Sequence, residues 1–314
     1  MKQKFLLVLV LFVKVSMGQI NEQNITGQYS LGSSSPEGGS SLIIMEQGTY
    51  AIAYFGGIQV GKWKFLKDGR IEFAPFSKPI FELYGRTNRE LKKSAMVSFE
   101  NFENGDVYAG FHQKDEPWIK LNRVFNEDAN CFAYPYVYNL KRVPEQLIFM
   151  FKIYYPDKNE VRVFNNNAGY NDFIVINNSH TYLHSLKTMT AVFNEGMLTF
   201  EDGKTTVKRD LDENSEDMLF LKQYISQVFN DVQKIYVNKS YNLFEGNLPA
   251  YYEYDKKNNI FIDTQAIPKA NKGGESSMKY DDFSKIYEYK KLKEKVSTDN
   301  FETNNSSLFI ETCD

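Results

Sequence analysis

Between Thr49 and Phe73 the chain alternates in twos, a period that allows little besides a β-sheet. Tyr50, Ile52 and Tyr54 fall on one side and Thr49, Ala51 and Ala53 on the other, as expected where successive side chains point to opposite faces of a strand. Gly56-Gly57 turns the chain into Ile58 to Leu66, where Trp63 and Phe65 oppose Lys62 and Lys64. Asp68-Gly69 is a hairpin signal, and beyond it Ile71 and Phe73 alternate with Arg70 and Glu72. Upstream, Ile25 to Leu31 and Leu42 to Met45 read as two more strands, separated by the small polar run Ser33 to Gly39 and followed by the turn Glu46-Gln47-Gly48. Short strands joined by tight turns predict a mostly β chain that opens with an antiparallel barrel or sandwich.

The segment Ile25-Thr26-Gly27-Gln28-Tyr29-Ser30-Leu31 is followed by Gly48 to Tyr50 and then Gly61-Lys62-Trp63. This order of glycines and aromatics, over about fifty residues, resembles that of bacterial lipocalin-like envelope proteins. The resemblance implies a barrel-like fold with an interior cavity, and it carries no particular activity.

Ala95 to Val124 continues in the same style, with a turn at Asn104-Gly105-Asp106 and a last strand through Trp118, Ile119 and Leu121. The polar break from Asn126 to Asn130 marks the expected boundary between a lipocalin-like domain, residues 19–126, and a second β-rich domain, residues 127–297. The second region offers strands at Leu147 to Tyr155, Val161 to Phe164 and Phe173 to Ile176, a hairpin across Glu195-Gly196 and a turn at Asp202-Gly203. One amphipathic helix is predicted over about 214–236. Met218, Leu221, Ile225, Val228, Val232 and Ile235 trace its apolar stripe, with Asn214 or Ser215 as cap. Such a stripe should lie against a sheet or close a barrel mouth. Asn258 to Gly274 reads as a loop, Asp281 to Val296 as either a helix or a strand, and residues 298–314 as a polar tail that frays.

Lys2 and Lys4, the apolar run Phe5 to Val13 and the small residues Ser16 and Gly18 at the −3 and −1 positions before Gln19 have the layout of a cleaved secretory signal. Nine apolar residues fall well short of the roughly 20 that a membrane-crossing helix needs. No later stretch is long and apolar enough to span, so the mature chain is expected to be exported to the periplasm or beyond. Removing residues 1–18 takes away three lysines and no acid, leaving 34 basic residues of 37 against 40 acidic ones, a net charge of −6. A surface of that balance argues against a nucleic-acid partner, which would need concentrated Lys and Arg. The 21 tyrosines and 25 phenylalanines, against two tryptophans, favour strands and can fill a large core.

No motif stands out as catalytic. Asp210 to Glu216 begins like a calcium loop, but Ser215 and Leu221 stand where the sixth-position glycine and twelfth-position glutamate belong. His180 and His184, four apart, share a face and could begin a zinc site; polar surface histidines are the expected reading, since a third ligand is not apparent. No Gly-x-Ser-x-Gly elbow or phosphate loop occurs, and no cofactor is implied. Cys131 and Cys313 are read as a buried free thiol and a residue of the loose tail, with their pairing as the alternative. Asn24, Asn177, Asn238, Asn304 and Asn305 begin glycosylation triplets. Phe132, Tyr134, Tyr136 and Tyr138 are the most unusual cluster; interdomain packing is the expected use, and a groove for a sugar or an apolar ligand the alternative.

The expected function is that of an exported, non-catalytic envelope protein that binds a small apolar ligand or an envelope partner. An extracytoplasmic hydrolase with its residues on distant loops, and a structural surface protein, are the alternatives.

Overall fold

The alternating strands close on themselves. The computed structural model describes residues 22–32, 39–102, 106–113, 120–127, 131–154, 157–244, 247–265, 281–299 and 301–312. In it, eight antiparallel strands form a closed barrel. Five belong to the opening meander: Gly27–Ser30, Ser41–Met45, Thr49–Tyr54, Gly57–Phe65 and Ile71–Pro75. The other three come from far down the chain: Met189–Asn194, Met197–Phe200 and Thr205–Arg209. Phe73 lies opposite Met189 where the two groups join, and Tyr29 opposite Lys208 where the ring closes. Left-handed backbone at Gly48 (φ 70°), and at Glu195 and Gly196 (φ 47° and 80°), makes the tight reversals between strands.

Tyr29, Leu42, Ile44, Tyr50, Trp63 and Phe73 pack together inside the barrel with Phe193 and Leu198 from the late strands. Tyr50 meets Phe73 edge-on at 5.3 Å. A methyl at Gly61 would stand 2.4 Å from the Ala74 carbonyl and 2.5 Å from the Tyr50 ring, so only glycine seats that ring. The Tyr29 hydroxyl donates to the Ile25 carbonyl (2.7 Å) and the Trp63 Nε1–H to that of Met45 (2.9 Å). The space that the resemblance reserves for a ligand is thus occupied by these side chains.

The apolar stripe of the helix Glu216–Val228 packs on the outside of the barrel, Met218, Leu221 and Ile225 meeting Met45, Ala51 and Val60. Ser215 caps it, its hydroxyl accepting from the Met218 N–H at 3.3 Å. The helix is shorter than the stripe suggested. It stops before Asn230 and Asp231, both poor helix formers. Ile235 belongs instead to the strand Lys234–Val237, whose own apolar spacing prolonged the helical pattern by coincidence.

Two compact units are formed: Met1–Phe76 with Ser185–Phe229, and Ser77–His184 with Asn230–Asp314. The expected boundary at 126–130 therefore falls inside the second unit, because a polar run marks a crossing between sheets as well as one between domains. That unit is a two-sheet sandwich. One sheet runs Val137–Leu140, Ala95–Glu100, Asp172–Asn177, Phe81–Arg86, Lys285–Lys291, Lys234–Val237, Leu243–Phe244. The hairpin Tyr252–Asp255/Ile260–Asp263 joins it through Phe261 opposite Ile286. The second sheet runs Glu294–Ser297, Asp157–Asn165, Gln146–Tyr154, Val107–His112, Leu121–Phe125, Thr303–Phe309. Phe81, Leu83, Val97, Phe99 and Phe173 from the first face Ala109, Leu147, Phe149, Phe151 and Phe164 from the second.

Three expectations change here. Ile260–Asp263 is a strand, not loop, and Asp281 to Val296 resolves into a short 3-10 turn and two strands. The tail does not fray through its length: Phe301 is buried, and Thr303–Phe309 pairs in parallel with Leu121–Phe125. Phe309 anchors it, 5.5 Å from the Phe99 ring and 5.2 Å from that of Phe125. The signal segment, Gly105, Trp118, Ile119 and Cys313 lie outside the described residues.

Candidate ligand cleft

Strands Phe81–Arg86 and Lys285–Lys291 pair with Gly85 opposite Lys290 and Tyr84 opposite Lys291. Paired residues share a face, and the two faces of this pair differ sharply. Tyr84, Arg86, Tyr287 and Tyr289 lie on one; Gly85, Glu288 and Lys290 on the other.

The tyrosine face is closed over a charge. Asp172 is 1 % exposed. It accepts from the Tyr289 hydroxyl (2.8 Å), the Tyr241 hydroxyl (3.2 Å) and the Asn88 amide (3.0 Å), and pairs with Arg86 at 2.7 Å. The Arg86 guanidinium also stacks on Tyr287, 3.9 Å from the ring centroid. Burial and the neighbouring carboxylate push the Tyr289 and Tyr241 hydroxyls far above the ordinary phenol range, so both stay protonated and donate to Asp172. The Asp172 carboxylate is held from four sides, which suits a structural pin, although the Arg86 Nε–H is buried without a hydrogen-bond partner.

The other face is open. A cleft of about 390 Å³ is lined by Tyr170, Tyr254, Asn259, Phe261, Glu288 and Lys290, with Gly85 in its wall. Its position follows from local sequence. A Cβ at Gly85 would stand 2.7 Å from the Tyr170 ring, so the glycine lets that ring lie against the strand. Across the hairpin, Tyr254 sits directly opposite Phe261, with ring centroids 5.1 Å apart. The Tyr254 hydroxyl donates to Asn259 Oδ1 at 2.9 Å, and Tyr254 keeps 53 % of its surface exposed. Arg89 donates to the Lys257 carbonyl at 2.8 Å, tying the hairpin tip to the loop after Arg86.

Glu288 supplies the acid of the cleft. Its Oε2 receives the Lys234 ammonium (3.1 Å) and the Tyr236 hydroxyl (3.2 Å), while Lys290 stands 4.0 Å from Oε1. Hydrogen bonding to Glu288 raises Lys234 above the ordinary lysine range. Burial, then the Glu288 charge, raises Tyr236. One carboxylate oxygen is therefore satisfied by protein and the other faces a loosely held ammonium.

The residues singled out from sequence go elsewhere. Phe132 packs at 4.5 Å on Phe125, Tyr136 at 5.0 Å on Phe125, and Tyr138 stacks on Phe111 at 5.8 Å. Tyr134 donates to the Glu100 carboxylate and the Tyr241 carbonyl. All these partners lie in the second unit, so the cluster belongs to the packing of one sandwich rather than to a seam between domains. His180 and His184 share the short helix Ser179–Ser185; the side chain of His184 lies outside the described residues. Among the described residues no three metal-binding side chains converge. Cys131 is disulfide-bonded, not free; the only other cysteine of the chain is Cys313. Asn177 and Asn238 are buried; Asn177 donates to the Asn101 carbonyl, and the Asn238 Oδ1 accepts from the Ser240 and Asn242 N–H groups of its own loop.

Tyr254, Phe261, Glu288 and Lys290 escaped attention in the sequence. The signal for the first two was present: Tyr252 and Tyr254, then Ile260 and Ile262, alternate about the turn Lys256-Lys257-Asn258-Asn259. The chain matches no protein-family model, no curated protein and no solved structure.

Proposed function

We propose that this is an exported, non-catalytic binding protein whose barrel is a filled, lipocalin-like scaffold and whose ligand sits in the sandwich cleft. The carrying observation is the contrast between a barrel interior occupied by Tyr29, Tyr50, Trp63 and Phe73 and an open cleft with aromatic and polar walls. Its volume, about 390 Å³, lies at the low end of the roughly 300–1,000 Å³ that small-molecule sites occupy, which favours a compact ligand over a long acyl chain. The acid in the cleft, Glu288, is already tied to Lys234 and Tyr236, an arrangement suited to holding a ligand and poorly suited to proton transfer. Export rests on the segment Met1 to Gly18 and predicts a mature N-terminus at Gln19.

Native mass spectrometry of the protein purified from its own source tests both parts. The expected species begins at Gln19 and carries a bound small molecule that is lost when Asn259→Trp fills the cleft. A bound molecule that survives that substitution, or a retained leader, sinks the corresponding half of the proposal.

A further inference from the structure

We propose that the ligand of the cleft is a saccharide, one ring face resting on Tyr254 and its hydroxyl groups meeting Asn259, Glu288 and Lys290. This rests on the cleft being the binding site. A sugar ring has an apolar C–H face bounded by a rim of hydroxyls, so it suits an exposed aromatic face beside fixed donors and acceptors. Tyr254 supplies that face. A cross-strand pair needs only contact with Phe261 to hold the hairpin, yet 53 % of Tyr254 is left uncovered. Its hydroxyl donates to Asn259 Oδ1, which fixes the amide and leaves the NH₂ as donor. Glu288 has Oε2 occupied by Lys234 and Tyr236 but meets Lys290 only at 4.0 Å through Oε1. An acceptor and an exposed cationic donor therefore stand beside the aromatic face, a pairing that suits vicinal hydroxyls. Gly85 and the Tyr170 ring packed against it complete the wall.

The test is saturation-transfer NMR and calorimetry of the mature chain with a panel of neutral and uronic-acid disaccharides. At least one should bind saturably. Tyr254→Ala should weaken it by roughly tenfold or more, as loss of an aromatic anchor does, whereas Tyr254→Phe, which keeps the ring and frees only the Asn259 amide, and Lys290→Met should each weaken it less. Circular dichroism of each variant checks that the sheet is intact. A panel with no binder overturns the sugar, and leaves the cleft standing if a co-purified molecule is still displaced by Asn259→Trp. Saccharide binding that neither Tyr254→Ala nor Lys290→Met alters overturns the cleft itself as the site.

Discussion

The barrel and the sandwich are built from the same strand chemistry but handle polar groups in opposite ways. Inside the barrel the polar atoms are neutral, and Tyr29 and Trp63 each place theirs on a backbone carbonyl. The sandwich buries full charges: Asp172 with Arg86 and Glu82 with Lys291 on the outer face of its first sheet, and Glu160 with Arg162 on the inner face of its second, beside Phe149 and Phe151. A neutral, side-chain-filled interior gains from packing and tolerates changes of pH. A buried ion pair gains little over an apolar pair of the same size, but is costly to break on one side. The contrast shows where each unit is vulnerable, the barrel to changes of volume and the sandwich to changes of charge. Hydrogen exchange read peptide by peptide can separate the two, because it reports local opening.

The sharpest break should come from Asp172→Ala. It strands the Arg86 guanidinium beside Tyr289 and Tyr241, and removing one partner of a buried pair costs about 3–5 kcal/mol. Exchange should accelerate through Phe81–Arg86, Asp172–Asn177 and Lys285–Lys291, while the barrel strands stay protected. Equal acceleration in Thr49–Tyr54 would show that the two units do not respond separately. Next in size is Gly61→Ala, whose methyl collides with the Ala74 carbonyl and the Tyr50 ring; overpacking of this kind costs roughly 1–3 kcal/mol. Here the protection lost should be confined to the barrel, and an unchanged thermal midpoint would mean that the Tyr50 ring has room to move. Ser215→Ala removes the cap of the helix on the barrel wall and should cost about 1 kcal/mol, visible as faster exchange at Met218 and Leu219 alone.

The meander was legible because alternation and glycine turns are local properties: Thr49 to Phe73 carries both, and its strands form where the pattern places them. Barrel closure was not, since Met189–Asn194 meets Ile71–Pro75 only after more than a hundred intervening residues, and no local period records such a partner. The helix start was readable in Ser215 and Glu216; its end was obscured because Val232 and Ile235 extend the stripe by chance. For the cleft, Glu288 and Lys290 are ordinary members of the charged run Lys285 to Lys291. They become a site only through Phe261 and Tyr254, delivered by a hairpin whose second strand, Ile260–Asp263, falls in the stretch Asn258 to Gly274 that reads as a loop. Phe132 to Tyr138 drew attention by their spacing, yet aromatic residues in such number are first of all core.

The smallest expected effect separates two acids that share one guanidinium. Arg162 Nη1 donates to Glu160 at 3.0 Å, whereas its Nε lies 3.4 Å from Glu294 without the alignment of a hydrogen bond. Burial alone would raise Glu160, but hydrogen bonds from Lys158, Arg162 and Tyr182 outweigh it and hold the carboxyl below its usual range. Glu294, less well served, is raised by burial despite Arg162 and Lys291. The signs are therefore opposite. Glu160 favours the folded sandwich above its unfolded value, about 4.3, and that contribution is lost as pH falls through its depressed folded value. Glu294 favours folding below its own unfolded value and opposes it as pH rises through the raised one. Glu160→Gln should flatten the acid limb of sandwich stability below about pH 4.3, and Glu294→Gln should remove a decline on the neutral side. Lys158 is 60 % exposed, so solvent screens its share and both slopes should be shallow. If the two variants moved the same limb, Arg162 would be serving both carboxylates alike, and the sandwich would depend on that cluster as a single charge rather than on the pairing of Glu160.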